Sequence, residues 1–239
     1  MPRDINHNQR AILVSFSGVD GSGKSTQIEN LRAQLEARGL RTRLLAFWDN
    51  VVVGCGLREG FVHKAYGSQR GVGAPGKPVE RRDKNVRRWY LTLSRYILYF
   101  ADALHLAWVA RVRRKGKDCD VLIFDRYIYD ELVNLPLASR FTRWYVRLVT
   151  ALVPRPNIAY LLDADPDAAR ERKPEYPLEF MRQCRRAYKD LALMLRSLTF
   201  IPALPLEDAK ARVEHAFWLT AALPKPVPAT PAVSDVEAA

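Results

Sequence analysis

Cysteine pairs, metal-ligand spacings and long apolar runs are missing from this sequence. The 239 residues include three cysteines, Cys55, Cys119 and Cys184, which are scattered and odd in number. Neither a disulfide scaffold nor a zinc module is therefore expected. No apolar run approaches the roughly 20 residues of a membrane-spanning helix, and the first residues lack the apolar segment of a signal peptide. We expect a cytoplasmic protein with no membrane partner.

The composition is that of a folded protein with an excess of positive charge. Hydrophobic residues make up 48% of the chain and charged residues 27%, as expected for a single domain with a sizeable core. There are 38 basic and 26 acidic residues, so the net charge is +12. This charge favours an anionic partner: a phosphorylated small molecule, a nucleic acid or a membrane surface. Charge alone does not choose among these.

Short apolar runs alternate with helical periodicity, which is typical of βαβ units around a parallel sheet. The predicted strands are 11–16, 42–47, 121–124, 158–162 and 199–201, and the predicted helices are 25–38, 79–114, two pieces within 128–153, 178–196 and 206–221. The predicted fold class is therefore α/β. Residues 1–10 are predicted to be an N-terminal extension, 11–221 the domain, and 222–239 a disordered tail rich in proline and alanine.

The predicted helix 79–114 and the segment before it stand apart from this regular pattern. Apolar residues recur along the helix in two stripes, so we expect it to be central and well buried. The first stripe comprises Val86, Tyr90, Leu93, Ile97, Phe100, Leu104 and Ala107, and the second Leu91, Leu98, Ala101, His105, Trp108 and Val112. Residues 48–78 are predicted to be an irregular loop on the acceptor side, rich in glycine from Gly54 to Pro78. A loop of this length is usually functional or mobile.

A phosphate-binding loop follows the first predicted strand. Residues 18–25 match the pattern G-x-x-x-x-G-K-[ST], and the next segment is a predicted helix, as the motif requires. In such a loop, successive backbone N–H groups point at an anion and the helix adds its positive end. We expect the loop to bind the phosphates of ATP. The predicted ligands are Gly18, Asp20, Gly21, Ser22, Gly23, Lys24, Ser25 and Thr26.

Catalytic and metal-binding roles follow from the same motif and from the third strand. Lys24 can reach the β- and γ-phosphates, and the Ser25 hydroxyl is placed to ligate Mg²⁺. Asp125 and Arg126 come directly after strand 121–124, where ligands bind in open α/β sheets. Asp125 is then placed like a Walker B carboxylate near the metal, and Arg126 can fork onto a second phosphate. A purely structural Asp-Arg pair is the alternative.

Residues 164–178 are predicted to be a lid. Asp165 and Pro166 are the signals of a helix start, and Arg170 and Arg172 lie at the end of that short helix. Phosphoryl transfer spreads negative charge over the equatorial oxygens, and a mobile lid can bring cations to it when substrates are bound. The alternative is a solvated basic helix end.

Together these motifs resemble the thymidylate kinase-like nucleoside monophosphate kinases, a family of P-loop kinases. The resemblance covers residues 11–221 and is carried by Gly-Val-Asp-Gly-Ser-Gly-Lys-Ser-Thr, Asp-Arg-Tyr, and Leu-Asp-Ala-Asp-Pro with its basic lid. It implies a P-loop NTPase-type parallel sheet of five strands flanked by helices. It also implies Mg²⁺ as cofactor and transfer of the ATP γ-phosphoryl to a nucleotide 5′-phosphate, such as thymidylate.

The resemblance also implies roles for individual residues. Asp20 would approach the sugar of the acceptor and Arg126 its phosphate, and Tyr127 is also expected to bind the acceptor. Some members carry a catalytic arginine in the phosphate loop, at the position of Gly21 in this chain. The catalytic arginine is therefore expected in the lid, as Arg170 or Arg172.

The chain departs from the family on the side of the acceptor. Trp48-Asp49-Asn50 replaces an Arg-Glu-Pro-Gly-Gly-like stretch, for which Arg58 or Arg70 would have to substitute, and the position of the thymine-reading arginine falls near Leu104. A nucleoside, a sugar or another phosphorylated metabolite therefore remains an alternative acceptor. A non-catalytic switch and a basic nucleic-acid-binding ATPase are alternatives of another class, although the sequence has no Asn-Lys-x-Asp motif of a switch. A homodimer is one open oligomeric state.

Overall fold

The computed structural model describes residues 10–54, 89–115 and 118–221. The predicted tail, most of the loop 48–78 and residues 1–9 lie outside this range. The strands are β1 (Ile12–Gly18), β2 (Thr42–Ala46), β3 (Val121–Asp125), β4 (Ile158–Leu162) and β5 (Thr199–Ile201). The helices are α1 (Lys24–Ala37), α2 (Phe47–Asn50), α3 (Trp89–Lys115), α4 (Ile128–Leu132), α5 (Arg140–Leu152), α6 (Pro166–Arg172), α7 (Leu178–Leu195) and α8 (Leu206–Thr220).

The strands form a five-stranded sheet in the order β2-β3-β1-β4-β5, with every neighbouring pair parallel. In the centre, Phe16 of β1 lies opposite Asp125 of β3, and Gly18 lies opposite Leu162 of β4. The carboxyl ends of β1, β3 and β4 therefore meet at one edge of the sheet. This architecture confirms the predicted α/β fold with a parallel sheet flanked by helices.

Helices cover both faces of the sheet because its strands are apolar on both sides. On one face, Ile28, Leu31 and Leu35 recur every three or four residues along α1 and pack with Val213 and Phe217 of α8. On the other face, buried side chains of α3, α4, α5 and α7 form the second core layer. Within the described residues, no helix combines the length and the apolar character needed to cross a membrane.

Among the described members of the two predicted stripes of helix α3, Ala107 alone is buried. The buried apolar side chains of the helix are Tyr99, Ala103, Leu106, Ala107, Val109 and Ala110. In contrast, Ile97 is 66% exposed and Trp108 is 62% exposed. The prediction of a well-buried helix is therefore wrong for this outer face. Because α3 is apolar around most of its circumference, periodicity alone does not show which face meets the sheet. The part of the predicted helix before residue 89 lies outside the described residues.

The remaining predicted elements agree with the structure to within a few residues at each end. The predicted start of α6 is confirmed in detail: the Asp165 carboxylate accepts hydrogen bonds from the backbone N–H groups of Asp167, at 3.1 Å, and Ala168, at 3.2 Å. Pro166 occupies the first helical position, where its missing N–H costs nothing. The cap fixes where the chain turns after β4 and so places the predicted lid.

Candidate active site

The phosphate loop leaves β1 at Gly18 and enters α1 at Lys24. Gly23 is the N-cap of α1, and no side chain caps its first turn or adds an acidic charge there. The Ser22 hydroxyl is buried and has no hydrogen-bond partner among the described residues. Backbone N–H groups at the start of an uncapped helix and a buried unpartnered hydroxyl are polar groups that an anion satisfies. The loop therefore fits a phosphate group.

Lys24 lies inside this loop and is only 7% exposed. Its ammonium donates hydrogen bonds to the carbonyl oxygens of Gly18, at 2.8 Å, and Val19, at 2.9 Å. Burial and the positive charge of Arg126 lower the pKa of Lys24 to about 8, and nearby carboxylates, Asp20 first among them, oppose this shift. A phosphate oxygen would offer this ammonium a charged acceptor in place of two neutral carbonyls, so the arrangement favours binding of an anion.

The two predicted metal ligands lie on α1, directly after the phosphate loop, and at the end of the neighbouring strand β3, opposite Phe16 of β1. Ser25 is exposed in the first turn of α1, and Asp125 is partly buried at the end of β3. Among the described residues, no group of three or more His, Cys, Asp or Glu side chains could hold a metal by itself. Mg²⁺ is commonly bound by one or two protein oxygens together with phosphate oxygens and water. Ser25 and Asp125 each offer an oxygen of the kind that Mg²⁺ arriving with ATP would use.

Arg126 is held in an unusual conformation at the floor of the site. Its φ is 70°, in the left-handed region, and its backbone N–H donates to the Phe16 carbonyl at 2.9 Å. Its guanidinium donates to the Asp20 carboxylate and lies 3.6 Å from Asp130. Burial lowers the pKa of Arg126, but the charges of Asp20 and Asp130 outweigh burial and raise it. Arg126 is thus a permanent cation clamped between two carboxylates.

Tyr127 has a different place from the one expected of an acceptor ligand. Its side chain is fully buried against Phe124, and its hydroxyl donates to the Pro154 carbonyl at 2.6 Å. Only its backbone N–H contributes to the site, by donating to Asp130 at 3.0 Å. The geometry therefore supports a role in the core for this side chain and gives no contact with the cleft.

Asp130 is a central residue that sequence reasoning missed. It is 3% exposed, and it accepts hydrogen bonds from the hydroxyls of Ser17, at 2.6 Å, and Tyr188, at 2.7 Å. The same carboxylate takes the Tyr127 N–H and faces Arg126. A signal was present in the sequence. Asp130 is the third residue of the short helix α4, and an acid at that position commonly accepts a hydrogen bond from the backbone N–H of the N-cap residue, here Tyr127.

The predicted lid is in direct contact with the phosphate loop. Gly21 has a φ of 81°, and a Cβ atom at this position would overlap with the Ala169 carbonyl of α6. Arg170 follows Ala169 directly, and Arg172 lies near the end of the same helix with its Nε donating to the Ala168 carbonyl at 3.1 Å. Both arginines are exposed. The structure therefore brings the backbone of α6 against the loop at Gly21, while the side chains of both lid arginines are exposed.

A narrow cleft separates the phosphate loop from the lid and α7. Its volume is about 30 Å³, far below the roughly 300–1,000 Å³ of typical small-molecule sites. The lining includes Asp20, Arg126, Asp130, Asn134, Tyr176, Phe180, Cys184 and Tyr188. In this conformation the cleft is too small for a nucleotide-sized acceptor. Leu104, near which the thymine-reading position falls, is half exposed on the outer face of α3 and does not line this cleft.

Comparisons with known proteins bear on this geometry. No family model matches the chain. Thymidylate kinase of Bifidobacterium longum subsp. infantis is 29% identical over 192 residues, covering 76% of this chain and 74% of that protein. A probable thymidylate kinase of Methanosphaera stadtmanae is 25% identical over 201 residues, covering 82% of this chain and 92% of the relative.

Solved structures show the same architecture. Thymidylate kinase from Candida albicans superposes with a TM-score of 0.59 at 14% identity, covering 88% of this chain and 92% of its own. Thymidylate kinase from Ehrlichia chaffeensis gives a TM-score of 0.55 at 17% identity, covering 87% of this chain and 98% of its own. At these identities the structural similarity establishes the fold.

The parallel sheet and the phosphate loop between β1 and α1 define an α/β protein of the P-loop class. Within that class, the chain is a distant homologue of the thymidylate kinase family. The resemblance predicted from the motifs is thereby confirmed. The family is one of phosphotransferases; the acceptor of this chain is a separate question.

Proposed function

We propose that the chain is a cytoplasmic phosphotransferase that uses ATP and Mg²⁺ to phosphorylate a small phosphorylated acceptor, as a nucleoside monophosphate kinase does. The observation that carries the proposal is the convergence at one sheet edge of an uncapped phosphate loop, the buried cation Lys24 and the clamped Arg126. These groups lie where an anionic substrate of an open α/β sheet is expected. The distant thymidylate kinase homologues add support.

In this proposal each residue acts on charge or position. Lys24 exchanges its two carbonyl partners for the β- and γ-phosphates, and the N-terminal N–H groups of α1 hold the same anion. Ser25 and Asp125 would hold Mg²⁺, which would neutralise phosphate charge when bound with ATP. Arg170 or Arg172 reaches the transferring group from α6 as the charge develops, because α6 already touches the loop at Gly21.

The acceptor side favours a compound other than thymidylate. The position expected for a base-reading arginine falls near Leu104, which is apolar and half exposed. The positive charge of Arg126 is already offset by Asp20 and Asp130. An acceptor phosphate must therefore compete with two carboxylates for this cation. That observation keeps a neutral hydroxyl acceptor, such as a nucleoside or a sugar, as the second candidate.

A panel of acceptors with ATP and Mg²⁺ tests the proposal. The panel contains the nucleoside monophosphates, the corresponding nucleosides and phosphorylated and free sugars, and the formation of ADP and phosphorylated product is measured for each. We expect transfer to at least one acceptor and a kcat/KM for thymidylate below the best value. ATP binding without transfer to any acceptor would favour a switch, whereas salt-sensitive binding to DNA or RNA would favour a nucleic-acid ATPase.

The lid arginines are tested with Arg170→Ala and Arg172→Ala. A cation that acts only in the transition state is worth on the order of a thousandfold in kcat, with little change in the KM for ATP. Arg186→Ala is the matched control, since Arg186 is an exposed arginine of α7 paired with Glu179 at 3.1 Å. Near-normal kcat in both single variants and in their double variant would leave the lid as a solvated basic helix end.

We also propose that two copies of the chain pair through the outer face of α3. Between residues 90 and 110, the charged residues of this helix are Arg95 and the buried Asp102, whereas Arg111, Arg113, Arg114 and Lys115 follow at its end. A two-fold contact with the helices antiparallel buries apolar surface against apolar surface. It also places each basic end far from the other, which avoids repulsion between like charges.

A further inference from the structure

Asp130 joins three separate parts of the chain. Ser17 belongs to the end of β1, directly before the phosphate loop; Arg126 follows β3; and Tyr188 lies in the middle of α7, the long helix after the lid. All three side chains meet the one carboxylate, at 2.6 Å for Ser17, 2.7 Å for Tyr188 and 3.6 Å for Arg126. Asp130 of α4 therefore links α7 directly to the end of β1, where the phosphate loop begins.

The network leaves the carboxylate little freedom. A buried charge is costly unless it is paired and hydrogen-bonded, and here both oxygens are used. One oxygen accepts from the Ser17 hydroxyl and the Tyr127 N–H. The other accepts from the Tyr188 hydroxyl and, at 3.5 Å, from the Gly18 N–H, and it faces Arg126. Because every member lies in a low-dielectric interior, a change in one bond alters the strength of the others. A shift at the start of the loop, where the Gly18 N–H donates to the same oxygen as Tyr188, is therefore expected to change the bond to Tyr188 as well.

The same carboxylate controls Arg126. Asp20, on the phosphate loop, holds one side of the guanidinium, and Asp130 faces the other. When an anion enters the loop, the charge around Asp20 becomes more negative and Arg126 is drawn towards it. The weaker contact, the one to Asp130, is then the contact that gives way. Loss of this contact removes a positive charge from the Asp130 oxygen that also accepts from Tyr188, which changes the strength of the Tyr188 bond and so reaches α7.

We propose that Asp130 is a positioning residue that couples anion binding in the phosphate loop to α7 through Tyr188, and thereby to the lid that precedes α7. The proposal rests on the proposed ATP site. The role of Asp130 is to orient Arg126 and to transmit the state of the loop.

Hydrogen–deuterium exchange with and without Mg-ATP tests the coupling without any acceptor. In the wild-type protein we expect slower exchange of the loop amides, residues 18–26, and of the α7 amides around Tyr188. In Tyr188→Phe the loop should keep its protection while the ATP-dependent protection of α7 is lost, because the ring still fills its place but its bond to Asp130 is gone. Asp130→Asn should give the same result.

Matched controls separate coupling from stability. Tyr145 and Tyr188 are both 6% exposed, and the Tyr145 hydroxyl donates to the Tyr96 carbonyl at 2.6 Å on α3, away from the loop. Tyr145→Phe should therefore lose one buried hydrogen bond and keep the ATP response of α7. Asp120→Asn serves the same purpose for the carboxylate, because Asp120 pairs with Arg41 at the opposite end of β3.

The possible outcomes distinguish the two proposals. If ATP fails to protect the loop in the wild-type protein, the ATP site itself is wrong. If the loop is protected but α7 responds equally in the wild-type protein, Tyr188→Phe and Tyr145→Phe, the coupling is wrong and Asp130 only stabilises the fold. Tyr188→Phe keeps the test decisive even if Asp130→Asn does not fold. With a productive acceptor, Tyr188→Phe should lower kcat by about tenfold while the KM for ATP changes less than about threefold.

Discussion

At the carboxyl edge of the sheet, charged side chains are buried and paired, whereas along the outer face of α3, large apolar side chains are exposed. Lys24 and Asp130 belong to the first region, each less than a tenth exposed and each in contact with several polar groups. Leu93, Ile97, Leu104 and Trp108 belong to the second region, where each side chain is about half exposed or more.

Both regions depart from the usual distribution of polar and apolar groups, and the departures have different consequences. Buried charge is tolerated at the sheet edge because each group has partners, and it leaves the loop preorganised for an anion. Exposed apolar surface on α3 has no comparable compensation within the described chain and is the kind of surface that proteins cover with a partner. The first region is therefore expected to govern chemistry, and the second to govern association.

The largest expected effect comes from Lys24→Ala. Loss of this ammonium should reduce phosphoryl transfer to background, because no other side chain of the loop carries a positive charge. The folded state should not lose stability, since burial already disfavours the charged lysine, as its lowered pKa shows. Steady-state turnover and thermal unfolding measure the two effects separately.

Leu106→Ala gives the contrast to Lys24→Ala. Leu106 belongs to α3 and is fully buried where that helix packs against the core. Its truncation should cost about 2–5 kcal/mol of unfolding free energy. Turnover per folded molecule should stay the same. If Lys24→Ala instead lost stability like a core variant and kept its turnover, the assignment of Lys24 would have to be abandoned.

The lowered pKa of Lys24 also predicts a dependence on pH. The free protein loses the lysine proton near pH 8, so kcat/KM for ATP should fall above that pH by up to about tenfold per unit. Stability should change in the opposite direction: between pH 8 and pH 10.5 the unfolded chain binds the proton more tightly, and the contribution of Lys24 to stability rises with pH.

Lys24→Arg provides the control for this profile, because the guanidinium keeps its proton over the whole range. Its activity can be lower throughout, but the loss above pH 8 should vanish. If kcat/KM for ATP still falls above pH 8 in Lys24→Arg, a group other than Lys24 causes the fall.

A smaller effect is expected from Gly21→Ala, which tests the contact between the loop and α6. The backbone of Gly21 has a φ of 81°, and an added Cβ would overlap with Ala169. Gly39→Ala is a close control, since its φ is 77° and a Cβ there meets no described atom within 4 Å. Both variants should lose about 1–2 kcal/mol of unfolding free energy from the left-handed backbone.

Only Gly21→Ala should also lower kcat, by about tenfold, because α6 and its arginines are displaced from the loop. Equal kcat in the two variants would show that the position of α6 against the loop is unimportant for turnover. Measured together, stability and kcat separate backbone strain from the displacement of the lid.

The difference between the two regions also explains what the sequence could predict. The phosphate loop, the strand-end Asp125 and Arg126, and the capped start of α6 are local patterns, in which spacing along the chain determines geometry. The sequence therefore predicts these elements and the parallel sheet that they imply. Catalytic and binding roles for the individual residues stay predictions, since the fold fixes their positions and kinetics must test their roles.

The features that were missed depend on contacts between distant segments. Ser17 and Tyr188 are 171 positions apart in the sequence, and both donate a hydrogen bond to the Asp130 carboxylate. The buried face of α3 was wrongly assigned for a related reason: an apolar helix offers several stripes, and the sheet selects one. The buried side chain of Tyr127 was equally invisible in the Asp-Arg-Tyr motif. In each case tertiary packing, and not local pattern, decides the outcome.

The smallest effect on catalysis is expected at the outer face of α3. Leu104→Glu places a charge in the middle of the apolar surface that we propose pairs two copies, so sedimentation should show a shift from dimer to monomer. Leu219→Glu is the control, because Leu219 is 66% exposed at the end of α8, away from that face. It should leave the oligomeric state unchanged.

Both variants should keep kcat within about twofold of the wild-type value, since Leu104 points away from the cleft and surface substitutions alter folding by less than about 0.5 kcal/mol. A chain that sediments as a monomer before any substitution would contradict the pairing, and a large loss of kcat in Leu104→Glu alone would mean that the two regions of the molecule depend on each other.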